Sequence, residues 1–353
     1  MNKQVGYFFL IIHIFFFGPI FSQETTKKKQ PEAVSQLFLE EASLPIKLCY
    51  SNKEIKKNTN DSTYIKSSLV YEINEGEWDS LKVELRARGD NRLKNCYFAP
   101  IKVSIKKSDA KNTVFEGNKK LKLVLPCLIQ RDNNDNVMKE YLAYKFYEII
   151  SPYHFKTRLV DISLEEIKGK KVKPHDLRGF LIEDDKNVAR RFAGKVYDRD
   201  VHPMQQEAIV SVRNAFFQFM IGNTDFSQMY QHNIKLLFVE KNMIPVPYDF
   251  DMSGFTNCSY AVVSEIGNEQ LAMTSVTQRK YRGFKRGNAL LEQVRQEFLS
   301  NKSKFEAILS SSSYLFDDER ELKTAKEFIS GFFAVLANEK KFNSEILNAA
   351  RVN

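Results

Sequence analysis

A change of hydrophobic period along the chain narrows the fold more than any other feature. Between residues 44 and 124 the texture is that of strands: Leu81, Val83 and Leu85 alternate with Lys82, Glu84 and Arg86, and Ile101, Val103 and Ile105 alternate with Lys102, Ser104 and Lys106. Such alternation belongs to antiparallel strands with one buried face. From Val137 to Ile150 the period lengthens, setting Met138, Leu142, Phe146 and Ile149 on one helical stripe that Pro152 ends. Strands follow at 158–164 and 179–183. Beyond Pro203 the pattern is mainly helical, with long helices expected over 290–309 and 317–337. The expected class is α+β, with a β-rich part over 44–185 that carries one long helix and a helical part over 186–353 that carries one β-hairpin.

The chain has 353 residues, of which 43% are hydrophobic, enough for one large domain or two lobes. Residues 1–22 read as a cleaved export signal. A cationic tip at Lys3 precedes an apolar run, Tyr7 to Phe17, too short to span a bilayer comfortably, and Ser22 stands before Gln23. A flexible lead-in over 23–43 follows. The protein is therefore expected to be exported, periplasmic or extracellular, with no integral membrane span after cleavage. Its net charge of +9 favours anionic partners, but the basic residues are scattered and lack interleaved aromatics, so no nucleic-acid partner is indicated. Cys49, Cys96, Cys127 and Cys258 show no CxxC spacing, and their three possible pairings stay open.

Residues 216–254 carry the chemistry. An apolar helix ends at Gly222-Asn223, a polar loop holds Asp225 and His232-Asn233, and the runs 234–238 and 244–248 form a hairpin that delivers Asp249 and Asp251. A turn about Lys241-Asn242 sets Asn233 opposite Phe250. Opposed residues lie about 4.5 to 5.5 Å apart, which puts Asn233 beside both aspartates. One amide oxygen and two carboxylates make a hard oxygen site suited to Mg²⁺ or Mn²⁺. Asp225 is then placed as a base near whatever the metal holds.

The ordered series Arg-Ala-Arg-Gly-Asp-Asn-Arg (86–92), Pro-Ile-Lys-Val (100–103), Leu-Lys-Leu-Val (121–124), Glu-Tyr-Leu-Ala-Tyr-Lys (140–145), Gly-Phe-Leu-Ile-Glu-Asp (179–184) and Tyr-Asp-Phe-Asp (248–251) resembles the spore-coat CotH family of atypical protein kinases. The segment from Gly222 to Ile234 also resembles the Asn-x-Asp-x-His-x-x-Asn loop of HipA-type kinases. The resemblance implies a kinase-like, two-lobed fold and metal-dependent transfer of phosphoryl from a nucleotide such as ATP to a protein hydroxyl. By motif, Asp225 matches the base, Asn233 the loop metal ligand, and Asp249 with Asp251 the metal aspartates. Lys102 is the candidate phosphate lysine, Glu140 its candidate partner, and Arg88, in the only small turn of the right region, a candidate anion contact.

Two departures support an alternative. Asp225 and Asn233 are eight residues apart, where H-R-D-x-x-x-x-N kinases space them by about five, so Phe226 to Gln231 must bulge out. The chain also lacks a Gly-x-Gly-x-x-Gly loop. The alternative is a non-catalytic, envelope-associated binding protein, a pseudokinase with an acidic metal pocket. A metal-dependent hydrolase using the same acids is a third reading.

Overall fold

The computed structural model describes residue 1 and residues 30–89, 91–129, 133–265 and 271–352. The export signal read at 1–22 and the start of the lead-in lie outside the described residues, apart from Met1. In chain order the elements are β1 (Leu44–Tyr50), α1 (Asn52–Asn58), β2 (Ile65–Asn74), β3 (Glu77–Ala87), α2 (Asn91–Asn95), β4 (Ile101–Ile105), α3 (Lys107–Ala110), β5 (Lys120–Val124), α4 (Asn133–Ile150), β6 (Thr157–Lys168) and β7 (Lys171–Ile182). They continue with α5 (Asp185–Arg191), β8 (Lys195–Tyr197), α6 (Ala208–Met220), β9 (Ile234–Val239), β10 (Asn242–Pro247), α7 (Asn288–Ser300), α8 (Lys302–Ser311), α9 (Glu319–Ala337) and α10 (Glu339–Phe342).

The two-lobed, kinase-like expectation does not hold. The first seven strands close into a barrel in the order β1-β2-β3-β4-β5-β7-β6. Closure comes from β1, which pairs antiparallel with β2 on one side and parallel with β6 on the other, Leu44 facing Val160 through to Tyr50 facing Glu166. At the opposite seam β5 meets β7 at Val124 and Phe180. Gly179 permits that approach, because a Cβ there would lie 2.4 Å from the Val124 carbonyl oxygen. A closed sheet has no free edges, unlike the open sheet of a separate small lobe.

Alternation fills the barrel. Leu48, Leu69, Leu85, Val103, Leu121, Ile162 and Leu181 point inward and are buried. Residues 36–38, read as part of the lead-in, form a 3₁₀ turn whose Leu37 and Phe38 join this core.

The second core lies between the barrel wall and the helices. Phe216, Phe217, Phe298, Phe305 and Phe332 pack there with Phe146, Phe180 and Ile182, so α4 and the end of β7 are shared between the two halves. The expected helix 290–309 is broken at Asn301 into α7 and α8. The expected one-sided stripe on α4 is a correction as well. The helix is covered on nearly all sides, and even Lys139 and Glu140 are buried. No described helix is long and apolar enough to cross a membrane.

Of the three cysteine pairings left open, the structure forms Cys96 with Cys127, while Cys49 and Cys258 are free. The bridge ties the end of α2 to the segment after β5 across 31 residues. Loop-closure entropy for that span gives about 3 to 4 kcal/mol of stabilisation. Replacing both Cys96 and Cys127 by Ser is expected to lower the chemical denaturation midpoint by a corresponding amount. Cys49→Ser serves as the near-neutral control, and equal midpoints for the two variants would contradict the assignment.

Candidate functional site

The hairpin that positions the site is β9–β10, with β8 added outside β9. Its register differs from expectation by two residues. Val239 faces Asn242, so the turn falls on Glu240-Lys241, both with positive φ (47° and 67°), and Pro247 faces Ile234. Turns with two positive φ values favour Asn and Gly, which is why Asn242 drew the expected turn toward itself. An even shift keeps every side chain on its face. Asn233 therefore lies opposite Tyr248, whose N–H donates to the Asn233 carbonyl at 3.0 Å, and the aspartates still follow at the strand end. Pro245 and Pro247 are tolerated because β10 is an edge strand.

Asp225 reaches the same place by a different route. The α6 helix ends in a Gly222 turn with φ of +61°, and the Asn223 side chain accepts from the Asp225 N–H at 2.9 Å. The chain then loops out and returns through a bridge between Ser227 and His232. That excursion absorbs the long spacing. The Asn233 amide donates to Asp225 Oδ2 at 3.0 Å, while Asp225 Oδ1 contacts His232 Nε2 at 3.1 Å and accepts from Ser264 Oγ at 3.2 Å. These bonds fix the carboxylate's orientation. The hydrogen bond to Asp225 raises the His232 pKa above its ordinary value, against the effect of burial.

Asp249 and Asn233 both hold left-handed backbones, φ 64° and 53°. Residues kept in such conformations cluster at functional sites, where surrounding structure holds the strain. Here Tyr144 of α4 supplies part of that support, its Oη accepting the Asp249 N–H at 2.9 Å. Asp251 is buried and accepts from the Tyr260 hydroxyl at 2.9 Å.

Three cations face these acids. Arg88 Nη1 lies 3.9 Å from Asp249 Oδ2, and the buried Arg92 lies 3.9 Å from Asp251 and 3.7 Å from Glu140. The third is Lys122. A cleft of about 690 Å³ is lined by Asp225, Asn233, Asp249 and Asp251 together with Arg88 and Arg92. Thus four acids or amides from the α6–β10 region and two arginines from the barrel meet in one opening. Burial, with crowding by Asp249, raises the pKa of Asp251, and burial, with crowding by Asp251 and Asp249, raises that of Glu140. Among the described residues no three carboxylate, imidazole or thiolate groups are gathered into one metal shell.

Two expected residues stand elsewhere. Lys102 is half-buried on the outer face of β4, between Arg86 on β3 and Lys122 on β5, and does not line the cleft. Glu140 is buried behind Arg92 without lining the cleft, and Arg92, not Lys102, is its cationic neighbour.

Sequence reading passed over Lys122. Its Nζ is shut off from solvent without a hydrogen bond, although the stem is half-exposed, and sits 4.1 Å from the Tyr248 ring centre and 5.1 Å from that of Phe155. Burial, with Arg88 nearby, pushes its pKa down to about 7, while Asp249 and Asp185 pull it up. The available signal was its setting within Leu121, Leu123, Val124 and Leu125, more apolar than that of Lys102.

The chain matches no protein-family model and no curated protein sequence.

An unpaired buried ammonium destabilises a fold unless a ligand neutralises it. Because its folded pKa is depressed, Lys122 costs stability increasingly as pH falls from its ordinary 10.5 toward about 7. Lys122→Met is therefore expected to raise the melting temperature near neutral pH while removing any stabilisation by phosphate-bearing ligands. Loss of stability in Lys122→Met, with ligand response unchanged, would mark the residue as a packing element only.

Proposed function

We propose that this chain is a metal-dependent phosphotransferase, CotH-like in its reaction and not in its fold, exported and acting on a protein hydroxyl with a nucleotide such as ATP as donor. The observation that carries this reading is the meeting of Asp225, Asn233, Asp249 and Asp251 in one cleft with Arg88, beside the buried Lys122. The disulfide supports the exported setting, since such bridges persist in oxidising compartments.

The donor set fits a hard divalent cation. Asp249 and Asp251 offer carboxylate oxygens, and Asn233, whose Nδ2 is committed to Asp225, has an Oδ1 with no hydrogen bond from a described residue. When bound, Mg²⁺ or Mn²⁺ supplies charge neutralisation for phosphate oxygens. Asp225, held by His232, Ser264 and Asn233, accepts the proton of the acceptor hydroxyl. The acceptor oxygen forms a bond to phosphorus as the bond to the departing nucleoside diphosphate oxygen breaks, and the diphosphate carries away that electron pair. Arg88 and Lys122 neutralise the charge that accumulates on the phosphates.

One observation favours the non-catalytic alternative. Arg88 and Arg92 already face Asp249 and Asp251, so the acids are partly compensated without a metal. Turnover separates the readings. Asp225→Asn is expected to lower phosphoryl transfer by about 10² to 10⁴ with nucleotide affinity nearly unchanged. A wild-type protein that binds Mg²⁺ and nucleotide but transfers nothing to any hydroxyl would establish the binding-protein reading instead.

Metal binding has its own pH signature. The raised carboxyls of Asp251 and Glu140 contribute stability below their ordinary values of 3.8 and 4.5, and that contribution is lost as pH rises through their higher folded values. A cation that requires the ionised forms reverses this trend. The thermal shift on adding Mg²⁺ or Mn²⁺ is thus expected to be larger at about pH 8 than at about pH 5. Equal shifts at both values, or none, would contradict a metal held by Asp251.

A further inference from the structure

A second opening, of about 950 Å³, lies where the segment between β4 and β5 meets α5. Its floor is built, not accidental. The buried Asn118 accepts from Asn187 Nδ2 at 3.2 Å and donates to Ser35 Oγ at 2.9 Å, which locks the β4–β5 connection onto α5 and the chain's first described segment. Around this floor stand Lys107, Lys111, Lys119, Lys120 and Lys186, all exposed. None of the five takes part in an ion pair or side-chain hydrogen bond among the described residues.

The acids at the same opening are already engaged. Glu32 pairs with Arg190 at 2.8 Å, Glu116 accepts from the Asn112 N–H at 3.0 Å, and Asp184 accepts from the Lys186 N–H at 3.1 Å. Five lysines and Arg190 against three carboxylates leave the lining with a positive balance and five ammonium groups free to take an anionic ligand. Lysines dispersed along the sequence are thereby gathered by the fold into one site.

One strand links this opening to the surroundings of the candidate active site. Lys120 and Lys122 are two residues apart on β5, hence on one face and roughly 7 Å apart along the strand. Lys122 in turn lies within the electrostatic reach of Arg88 and Asp249.

We propose that this basic opening holds an acidic stretch of the polypeptide whose hydroxyl is delivered to Asp225. This rests on the phosphotransferase reading for the delivery, though not for the binding. Polypeptide fits better than nucleic acid for two reasons. Among the described residues no aromatic ring lines the opening, so bases would find no stacking platform there. The three engaged carboxylates also interrupt the positive lining, which suits spaced glutamates and opposes a phosphate at every unit of a strand.

The test uses the full chain without nucleotide and a fluorescein-labelled peptide of alternating Glu and Ser, with a Gln-Ser peptide of equal length as control. The wild type is expected to bind the acidic peptide alone, with affinity falling steeply with salt. The triple variant Lys107→Gln, Lys111→Gln, Lys120→Gln should weaken binding at least tenfold, and Lys119→Gln with Lys186→Gln should do so independently. Both sets change exposed positions, and an unaltered melting temperature checks their folding. Asp225→Asn should bind the peptide as the wild type does. Binding equal in wild type and both lysine variants would overturn the proposal, as would tighter, lysine-dependent binding of single-stranded DNA of matched charge. Peptide binding without phosphoryl transfer would leave this inference standing and remove the enzymatic one. Transfer to Gln-Ser peptides as fast as to Glu-Ser peptides would do the reverse.

Discussion

The parallel ladder between β1 and β6 is the constraint on which the rest of the molecule depends. Parallel neighbours need a long crossover, and here residues 51–156 make it, carrying β2 to β5 and α4 around the barrel before β6 returns beside β1. Once closed, the barrel has only an inside and an outside. Inward positions take Leu85, Val103 and Leu121, so their neighbours Arg86, Lys102 and Lys122 are committed to the outer wall in one cross-strand row. Like charges opposite one another repel. The row persists because its members find different environments: Arg86 pairs with Asp61 at 2.9 Å, Lys102 is half-exposed, and Lys122 is covered by Tyr248 and Phe155.

The acids gathered against that wall are costly in the same way. Glu140 and Asp251 are buried, and Arg92 stands 3.7 to 3.9 Å from both, at the long end of an ion pair. Removing charges from water costs several kcal/mol each unless close pairing returns it, and this geometry returns only part. One oxygen of Glu140 also lacks a hydrogen bond. Apolar residues of equal volume would serve the fold at least as well, so these acids are not explained by stability.

How far these features were legible in the sequence follows from the range of the interactions that make them. Strands β3 and β4, helix α4, the hairpin and the last helices are written in local periodicity, which is why alternation at 81–86 and 101–105 located them. The closing ladder joins Leu44 to Val160, and no local pattern announces such a pairing. Without it, a β-rich half followed by a helical half reads as two lobes. Glu140 looked solvated because a helix with one apolar stripe has a wet back, whereas α4 is wrapped by the barrel, α8 and the hairpin's end. Lys122 hid behind the same logic on a strand. The candidate site was more legible than the fold around it, since Asp225, Asn233, Asp249 and Asp251 belong to one stretch of chain and a register error of two residues leaves their faces unchanged.

The positions of the arginines have a different origin from those of the acids. Arg88 follows the last residue of β3, and its N–H donates to the Pro100 carbonyl at 2.9 Å, extending the β3–β4 pairing one step further. Four residues later Arg92 donates to the Leu125 carbonyl, and the Cys96–Cys127 bridge pins the same crossing from β3–β4 to the end of β5. The excursion that holds both guanidinium groups is therefore clamped at each end by the barrel. The acids are clamped from the other side, by the Asn223 turn, the Ser227–His232 bridge and the Tyr144 hydroxyl. Among the described residues the ion pairs that cross between the two sets are long, 3.9 Å for both Arg88–Asp249 and Arg92–Asp251. Charges of opposite sign, each anchored in its own half and nearly 4 Å apart, border the cleft of about 690 Å³, so its polarity is set by two separate scaffolds.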